Sequence, residues 1–391
     1  MRSKVITGII LMLLFMGILP FSFTIQPVKA GARTWTVDDD GPADFNTIQE
    51  AINTASLEDI IYVYNGTYYE HVVVNTTVSL IGENKYNTIV DGNSTGNVIN
   101  VTAENVNITC FTIQNSGTTS LESGIHLSSH TSGSNISCNI ISNNLYGIRL
   151  YNSSNNILTG NRASNNGYGI YLHSSSYNIL NGNIAADNAQ GIWLKWASHN
   201  NVLVANNVSN NSYNGIWICS SNNNMLARNS VSNNKIGIVV CMSSSNNMIF
   251  HNNFVNNTEQ TSVRAELRNI WDDGYPSGGN YWSDFSDVDL HQGPHQNETG
   301  IDGIWDHPYI IDENNQDNYP LVSPYWYWSN PIIGDFNKDM VVDMKDISLA
   351  AKAFGTYPDH PRWNPVADIN EDNRVDMRDL ATVGRDFGKT V

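Results

Sequence analysis

A tetrapeptide repeat, Gly-Ile-x-Leu or a close variant, constrains the fold of this chain more than any other feature. The repeat begins at six glycines that lie 22 to 24 residues apart: Gly124, Gly147, Gly169, Gly191, Gly215 and Gly237. Ser/Asn-rich turns and short apolar strands fill each interval, and strands this short do not form a free-standing sheet. Stacking the units as coils pairs every strand with the coils above and below it. The sequence therefore predicts an all-β, right-handed parallel β-helix solenoid with coils of about 22 residues.

Asparagines recur at equivalent positions of these coils. We expect them to tolerate left-handed turns and to form hydrogen bonds along the stack. The first coil needs a cover, and Thr47-Ile48-Gln49-Glu50 has the spacing of a capping box. A short helix is predicted there, with one apolar face made by Ile48, Ala51, Ile52 and Ala55. The repeat stops near Arg268, and the Trp-, Tyr-, Gly- and Asp-rich residues 269–330 are expected to cover the other end.

Residues 1–30 have the pattern of a signal peptide. Arg2 and Lys4 precede an apolar stretch that runs to Phe23, and Ala30 provides a cleavage position. An uncleaved anchor is the alternative, but no later segment has 18 consecutive apolar residues, so we expect no membrane span after cleavage. The net charge of −17 disfavours nucleic acid and anionic lipid as partners. N-glycosylation sequons fit a secreted, extracellular or cell-surface glycoprotein, and they begin at Asn65, Asn75, Asn107, Asn135 and Asn207.

Two acidic segments near the carboxyl end have the spacing of calcium-binding loops. Oxygen ligands at positions 1, 3, 5, 9 and 12 and a main-chain carbonyl at position 7 suit Ca²⁺, so calcium is the predicted cofactor. The predicted ligands are Asp335, Asn337, Asp339, Val341, Asp343 and Asp346 in the first loop, and Asp368, Asn370, Asp372, Arg374, Asp376 and Asp379 in the second. Position 6, which is usually glycine, is Met340 in the first loop, so this site is expected to be the weaker one.

Several motifs resemble those of known families. The segments Val37-Asp38-Asp39-Asp40-Gly41-Pro42 and Thr47-Ile48-Gln49-Glu50-Ala51-Ile52 resemble the start of secreted pectin-lyase-like β-helices. The repeats, with residues 271–284 and Asp317-Asn318-Tyr319-Pro320-Leu321, resemble NosD-type β-helix proteins, a class grouped with carbohydrate-binding proteins and sugar hydrolases. The resemblance covers roughly residues 35–325, and it specifies the fold more closely than the function.

The two calcium loops, each followed by one amphipathic segment, resemble dockerin modules, which dock secreted carbohydrate-active proteins onto cohesins. This resemblance implies a small α-helical module at residues 331–391 and a cohesin-type partner. The residues at the positions where dockerins meet that partner are Met344, Lys345, Met377 and Arg378. A structural calcium module without a cohesin partner is the alternative. The predicted organisation is thus a signal peptide (1–30), a β-helix with its helical cap (31–268), an extension (269–330) and the dockerin-like module (331–391).

The outward positions of the repeat form a candidate ligand-binding surface. Strand alternation points the Ile and Leu inward and the residue between them outward. The outward positions form one column, which contains His126, Arg149, Tyr171, Trp193, Trp217 and Val239, beside a second column of Tyr151, His173 and Lys195. Aromatic faces with flanking donors suit sugar rings. We therefore predict that Arg149, Tyr171, Trp193, Lys195 and Trp217 bind a glycan, with both indoles in solvent and the two cations supplying charge for an acidic sugar. The alternative is that the stacked aromatics only shield the sheet.

The distribution of carboxylates bears on whether the chain is an enzyme. Glycoside hydrolysis needs two carboxyl groups, and Asp187 is the single carboxylate between Ser123 and Thr258. Other carboxylates that could serve catalysis or a metal gather in the extension: Asp272, Asp273, Asp284, Asp287, Asp289, Asp302 and Asp306. Since the NosD name implies copper, the loop with His291, His295, Asp287 and Asp289 is also a candidate transition-metal site.

The four cysteines form two pairs at repeat-equivalent positions. Cys110 aligns with Cys138, and Cys219 aligns with Cys241. Stacking would bring each pair within disulfide reach, and free stacked thiols are the alternative.

Together these features predict a secreted protein that binds an extracellular polysaccharide or glycoprotein glycan while it is docked to a cohesin. A polysaccharide lyase or O-glycosyl hydrolase on the same scaffold is the first alternative, and a structural cell-surface repeat protein is the second.

Overall fold

The computed structural model describes residues 31–325, except residues 120 and 265, and also residues 350–357, 360, 362, 367, 374–377 and 379. The predicted signal peptide and the first calcium loop lie outside the described residues. Within this part of the chain, no helix is long and apolar enough to cross a membrane.

The predicted parallel β-helix is confirmed, since each coil contributes one short strand to each of three parallel sheets. Sheet 1 has ten strands: Thr34–Val37, Ile60–Val63, Ser79–Gly82, Asn107–Thr109, Asn135–Ser137, Ile157–Thr159, Ile179–Asn181, Val202–Val204, Met225–Ala227 and Met248–Phe250. Sheet 2 has nine: Val72–Val74, Ile99–Val101, Ser123–Leu127, Tyr146–Tyr151, Tyr168–His173, Gln190–Lys195, Asn214–Cys219, Ile236–Cys241 and Glu259–Val263. Sheet 3 has ten: Gly66–Tyr68, Thr88–Asp91, Thr112–Gln114, Ile140–Ser142, Arg162–Ser164, Ile184–Ala186, Asn207–Ser209, Ser230–Ser232, Asn253–Val255 and Tyr281–Trp282.

The tetrapeptide repeat lies in sheet 2, where its residues stack on their equivalents in the next coil. Ile148 pairs with Ile170 and Ile170 with Ile192, and all three side chains are at most 1% exposed. The repeat glycine is required by the closeness of the next coil. A Cβ added to Gly169 would lie 2.7 Å from the carbonyl oxygen of Gly191. The repeat is therefore a packing signature of one apolar core that runs through the stack.

The predicted helix caps the first coils and runs from Ile48 to Thr54. The Thr47 side chain accepts a hydrogen bond from the N–H of Glu50 at 3.3 Å, as expected for an N-cap residue. Ile48, Ala51 and Ile52 are buried against the core. The Glu70 carboxylate accepts further hydrogen bonds from the N–H groups of Ile48 and Gln49, at 2.8 and 2.9 Å, which the sequence did not indicate.

Three columns of buried asparagines run along the corners of the solenoid, as predicted. One column contains Asn156, Asn178, Asn201, Asn224, Asn247 and Asn269; the second contains Asn139, Asn161, Asn183, Asn206, Asn229, Asn252 and Asn280; the third contains Asn144, Asn166, Asn188, Asn211, Asn234 and Asn257. Residues with positive φ, such as Asn155 and Asn165, precede the asparagines of these columns at the corners.

Each asparagine side chain forms hydrogen bonds with backbone groups at a corner, where the chain lies between strands and has no strand partner. The Oδ1 of Asn206 accepts from the N–H and the Nδ2 of Asn183, at 2.9 and 3.0 Å. Its Nδ2 donates to the Leu180 carbonyl and to Asn229 Oδ1, both at 2.9 Å. Buried corner groups thus find partners in the neighbouring coils, and the columns fix the register of the coils.

Coil stacking continues beyond Arg268, although the tetrapeptide repeat ends there. Tyr281–Trp282 pairs with the strand Asn253–Val255, and Trp271 and Trp282 join the main core. Two antiparallel hairpins follow, the first between His291–Gln292 and Glu298–Thr299 and the second between Tyr309–Ile310 and Gln316–Asp317. Asn269 and Asn280 extend two of the asparagine columns past the last tetrapeptide, so coil stacking continues there.

Residues from the second hairpin end two of the asparagine columns. Asn315 Oδ1 accepts from the Asn269 N–H at 3.0 Å, and Asp317 Oδ2 accepts from the Asn280 N–H at 2.7 Å and from the Trp282 indole at 2.9 Å. Asp317 is fully buried. The Asp317 oxygens take the place of the amide oxygen of a further asparagine, so the column ends at this residue.

We predict that Asn206→Ala lowers the free energy of unfolding by about 3 kcal/mol, because the N–H and the side-chain amide of Asn183 and the carbonyl of Leu180 each lose a buried hydrogen bond. The neighbouring exposed residue gives a matched control, and Asn207→Ala should change stability little. Equal losses for the two variants in chemical denaturation would show that the column does not hold the coils.

We also predict that Asp317 makes stability depend on pH. Burial raises the pKa of Asp317 from 3.8 to about 7. A raised folded-state pKa gives stability that is present below the unfolded-state pKa and is lost as the pH rises through about 7. Relative to Asp317→Asn, the melting temperature of the wild type should therefore fall between about pH 4 and 7. Parallel pH profiles for the two proteins would contradict this.

Candidate functional site

The five candidate glycan-binding residues lie together on the outer face of sheet 2. The register pairs Arg149 with Tyr171, Tyr171 with Trp193, and Trp193 with Trp217, so the predicted column is formed. The second column is formed too, since Tyr151 pairs with His173 and His173 with Lys195. The aromatic members of the first column form a cluster that is separate from the main core.

The prediction that both indoles stand in solvent is wrong. Trp193 is 8% exposed, Tyr171 is 3% exposed, and Trp217 is half-buried. The two indoles stack at 4.2 Å with an interplanar angle of 3°, and Tyr168 stacks on Trp193 at 5.5 Å and 24°. Strand alternation sets the direction of a side chain, but neighbouring coils decide how much of it stays exposed. Because other rings cover both faces of Trp193, a sugar ring has no free face there to stack on.

Sequence reasoning missed three aromatic residues of this face. Tyr146 and Tyr168 precede the repeat glycine in successive coils and stack at 4.7 Å, and Tyr146 also contacts Tyr171 at 5.0 Å. Trp196, just after the Lys195 position, is 53% exposed and meets His173 edge-on at 5.4 Å. The recurrence of tyrosine before the glycine was a signal for the first two. Trp196 has no equivalent in the repeat.

The outer face of sheet 2 carries positive charge. The Arg149 guanidinium is 5% exposed, and its Nη1 donates to His126 Nδ1 at 3.1 Å. Lys195 lies over the Trp193 and Trp196 rings, at 4.5 and 4.8 Å from their centroids. Burial and the nearby Arg149 lower the pKa of His126 to about 4. Burial, then Lys195 and Arg149, lower the pKa of His173.

The candidate catalytic carboxylates serve local structure. Asp187 is an exposed corner residue with a φ of 58°, equivalent to Asn165 and Asn210 of the neighbouring coils. In the extension, Asp289 accepts from the N–H groups of Asp302 and Gly303 at 3.2 and 2.9 Å, and burial raises the pKa of Asp289 to about 6. Side-chain or backbone donors also bond each of the others, namely Asp272, Asp273, Asp284, Asp287, Asp302 and Asp306.

The candidate metal ligands His291, His295, Asp287 and Asp289 do not converge, which agrees with the alternative of a solvated loop. His291 Nδ1 lies 2.6 Å from Asp306, whereas Asp287 pairs with His307 at 2.7 Å. In the part of the chain that the structure describes, only Asp38, Asp39 and Asp40 bring three such ligand atoms within 4.8 Å of one another. This set is exposed oxygen alone, which does not suit copper.

The two cysteine pairs differ. Cys219 and Cys241 are stacked in sheet 2 and form a disulfide, and the Trp217 indole donates to Cys241 Sγ at 3.2 Å. Cys110 and Cys138 are half-buried free thiols at adjacent corners, where both have positive φ.

Only part of the second calcium loop is described. Asp379 is buried and accepts from the Asp376 N–H at 2.8 Å, and Met377, at a predicted cohesin contact, is 66% exposed. Val375 packs with Ala353 and Ala367 in a small apolar cluster. The other predicted ligands and contacts lie outside the described residues, except Arg374: they are Asp335, Asn337, Asp339, Val341, Asp343, Asp346, Asp368, Asn370 and Asp372, with Met344, Lys345 and Arg378.

Comparison with known families identifies both parts of the chain. Residues 52–287 match the family described as periplasmic copper-binding protein (NosD), and the chain belongs to this family. Residues 333–387 match the dockerin type I domain. No curated protein is significantly similar to the chain.

Solved β-helix structures are distant. The Dettilon tailspike protein (gp208) is 16% identical over 56% of this chain and 51% of its own, with a TM-score of 0.48. The A-module of the mannuronan C-5 epimerase AlgE4 from Azotobacter vinelandii is 14% identical over 53% of this chain and 72% of its own, with a TM-score of 0.43. XylC in complex with xylose is 11% identical over 68% of this chain and 73% of its own, with a TM-score of 0.49. The chain thus spans about half the length of the tailspike. At this similarity, none of the three bears on what the chain binds.

We predict that Trp193→Ala destabilises the fold by about 3 kcal/mol, because it opens a cavity between stacked rings. Trp196→Ala removes an exposed indole and should leave the melting temperature nearly unchanged. Thermal unfolding of the two variants tests the assignment. An unchanged melting temperature for Trp193→Ala would restore the interpretation that its indole stands free in solvent.

Proposed function

We propose that this protein is a secreted, non-catalytic glycan-binding β-helix that docks through its dockerin module to a cohesin on a scaffold or cell surface. The observation that carries the proposal is the joining of a NosD-family solenoid to a dockerin type I domain in one chain. Dockerin modules attach a protein to a cohesin, so the function that is delivered to the cohesin resides in the rest of the chain. In this chain the rest is the solenoid.

The outer face of sheet 2 supports glycan binding. It presents Trp196, Lys195, His173 and Tyr151 beside the buried aromatic stack, so an apolar surface lies next to hydrogen-bond donors. Sugars use both kinds of contact, through their C–H faces and their hydroxyl edges. Trp193 is covered by other rings and Trp217 is half-buried, so Trp196 is the most exposed indole of this face and the one expected to stack on a sugar.

The distribution of carboxylates supports a non-catalytic role. Between Ser123 and Thr258 the coils hold one carboxylate, Asp187, on a corner, and the aspartates of the extension are bonded to nearby donors. If the chain were a lyase or hydrolase instead, its activity should depend on the extension. Release of reducing or unsaturated ends from a polysaccharide that is abolished by Asp289→Asn would therefore establish the enzyme alternative.

Secretion is supported by two features of the chain. Residues 1–30 have the pattern of a signal peptide, and the Cys219–Cys241 disulfide fits an oxidising compartment.

Docking is expected to require calcium. Twelve predicted ligand positions converge on two ions, and their carboxylates repel one another when no ion is bound. Full-length protein should be retained by an immobilised type I cohesin in Ca²⁺ and released by EDTA. Asp368→Ala should weaken retention more than Asp335→Ala, because the first loop has Met340 at position 6. Retention that survives EDTA would contradict the proposal.

Glycan binding is tested separately, on an array probed with the full chain in Ca²⁺. Trp196→Ala should lower retention about tenfold, while Tyr86→Ala, which removes an aromatic ring exposed elsewhere, should not. If no glycan retains the wild type, the glycan-binding part of the proposal fails, and a role as a rigid surface spacer takes its place.

A further inference from the structure

We propose that the outer face of sheet 2 around Arg149 binds the anionic group, a carboxylate or a sulfate ester, of an acidic polysaccharide. This inference rests on the proposed glycan binding and specifies its chemical class.

The guanidinium of Arg149 is buried without an acid. The side chain is 5% exposed, and its Nε is fully buried with no hydrogen-bond partner. Its hydrogen bond to a protein group runs from Nη1 to His126, and the ion pairs of the described residues do not include it. Burying a charge without a partner is costly, so an arginine that served packing alone would be expected to have a carboxylate beside it.

Aromatic rings compensate this charge only in part. The guanidinium carbon lies 5.0 Å from the centroid of Tyr151 and 5.9 Å from that of Tyr146. Such cation–π contacts are favourable, but they provide no hydrogen-bond acceptor for the remaining N–H groups. His126, which accepts from Nη1, must be neutral to do so. The groups that hold Arg149 in place are therefore neutral, and its positive charge can interact with an anionic ligand.

Further donors continue along the solenoid axis from this point. His173 pairs with Tyr151 in the next coil, and Lys195 pairs with His173 in the coil after that, so Lys195 lies about 10 Å from the Tyr151 level. The contacts of the Lys195 ammonium are with the Trp193 and Trp196 rings. A polyanionic chain that lies along the axis would meet two cations, with an imidazole between them.

The coils that carry the tetrapeptide repeat differ in charge from the whole chain. Between Ser123 and Thr258 there are five basic residues and one acid, which gives a net charge of +4 in a chain of −17. The single acid, Asp187, stands at a corner of the solenoid and not on this face. Acidic residues elsewhere repel polyanions, so a polyanion would be retained at this face by the local charge.

The test uses the full chain and matched pairs of probes. Trigalacturonate and its methyl ester differ in carboxylate charge, and dextran sulfate and dextran differ in sulfate esters. We expect the charged member of at least one pair to bind in calorimetry, and the pair that does so identifies the anionic group. Arg149→Gln should weaken this binding at least about tenfold, the loss typical of a hydrogen bond to a charged group. Arg162→Gln removes the same charge from an exposed position of sheet 3 and should leave the affinity unchanged within about twofold.

Stability separates a binding role from a packing role. Since Arg149 is a buried cation without a carboxylate partner in the free protein, Arg149→Gln should keep or raise the melting temperature while it weakens binding. A lowered melting temperature with unchanged affinity would overturn the proposal. Lys195→Gln, at a half-buried position, provides a second variant that should also weaken binding.

Two other outcomes are informative. Equal binding of charged and neutral probes would overturn the anionic class and leave glycan binding intact. Absence of binding to any probe, together with an empty glycan array, would overturn both this inference and the glycan-binding function.

Discussion

Hydrogen bonding along the asparagine columns is the interaction on which the rest of this structure depends. Most strands of the coils contain only three residues, too few to fix a register by themselves. A buried asparagine at each corner of a repeat coil accepts the N–H of its equivalent in one neighbouring coil and donates to the other. Equivalent residues of successive coils are thereby aligned along the solenoid axis. Side chains at any one outward position therefore form a column.

The candidate binding face is a consequence of this register. At the spacing of adjacent coils, rings at equivalent positions stack on each other, as Trp193 and Trp217 do, and their faces disappear from the surface. The surface of this face is therefore formed by the edges of the stacked rings. Arg149 is buried among them, and the Lys195 ammonium lies over the Trp193 ring. A rigid solenoid places these charges at fixed intervals along one axis. Such an arrangement suits an extended polymer better than a compact small molecule.

Much of this could be predicted from the sequence, because the repeat encodes both the coil and its register. The spacing of the glycines predicted the solenoid, Thr47 predicted the cap helix, and the repeat with strand alternation predicted the column of Arg149, Tyr171 and Trp193. Exposure could not be predicted, because it depends on rings from other coils, such as Tyr168 against Trp193. The ends of the columns could not be predicted either, since Asn315 and Asp317 lie 46 and 37 residues beyond the asparagines that they meet. The pairing of His291 with Asp306 depends on the fold of the extension, for which no repeat exists.

A crystal structure of the full chain with a bound acidic oligosaccharide would locate the ligand without reference to any variant. Binding by sheet 2 predicts sugar density along its outer face, with an anionic group within hydrogen-bond distance of the Arg149 guanidinium and a second one near Lys195. Density in the extension, beside Asp289 and His291, with the sheet 2 face empty, would contradict it.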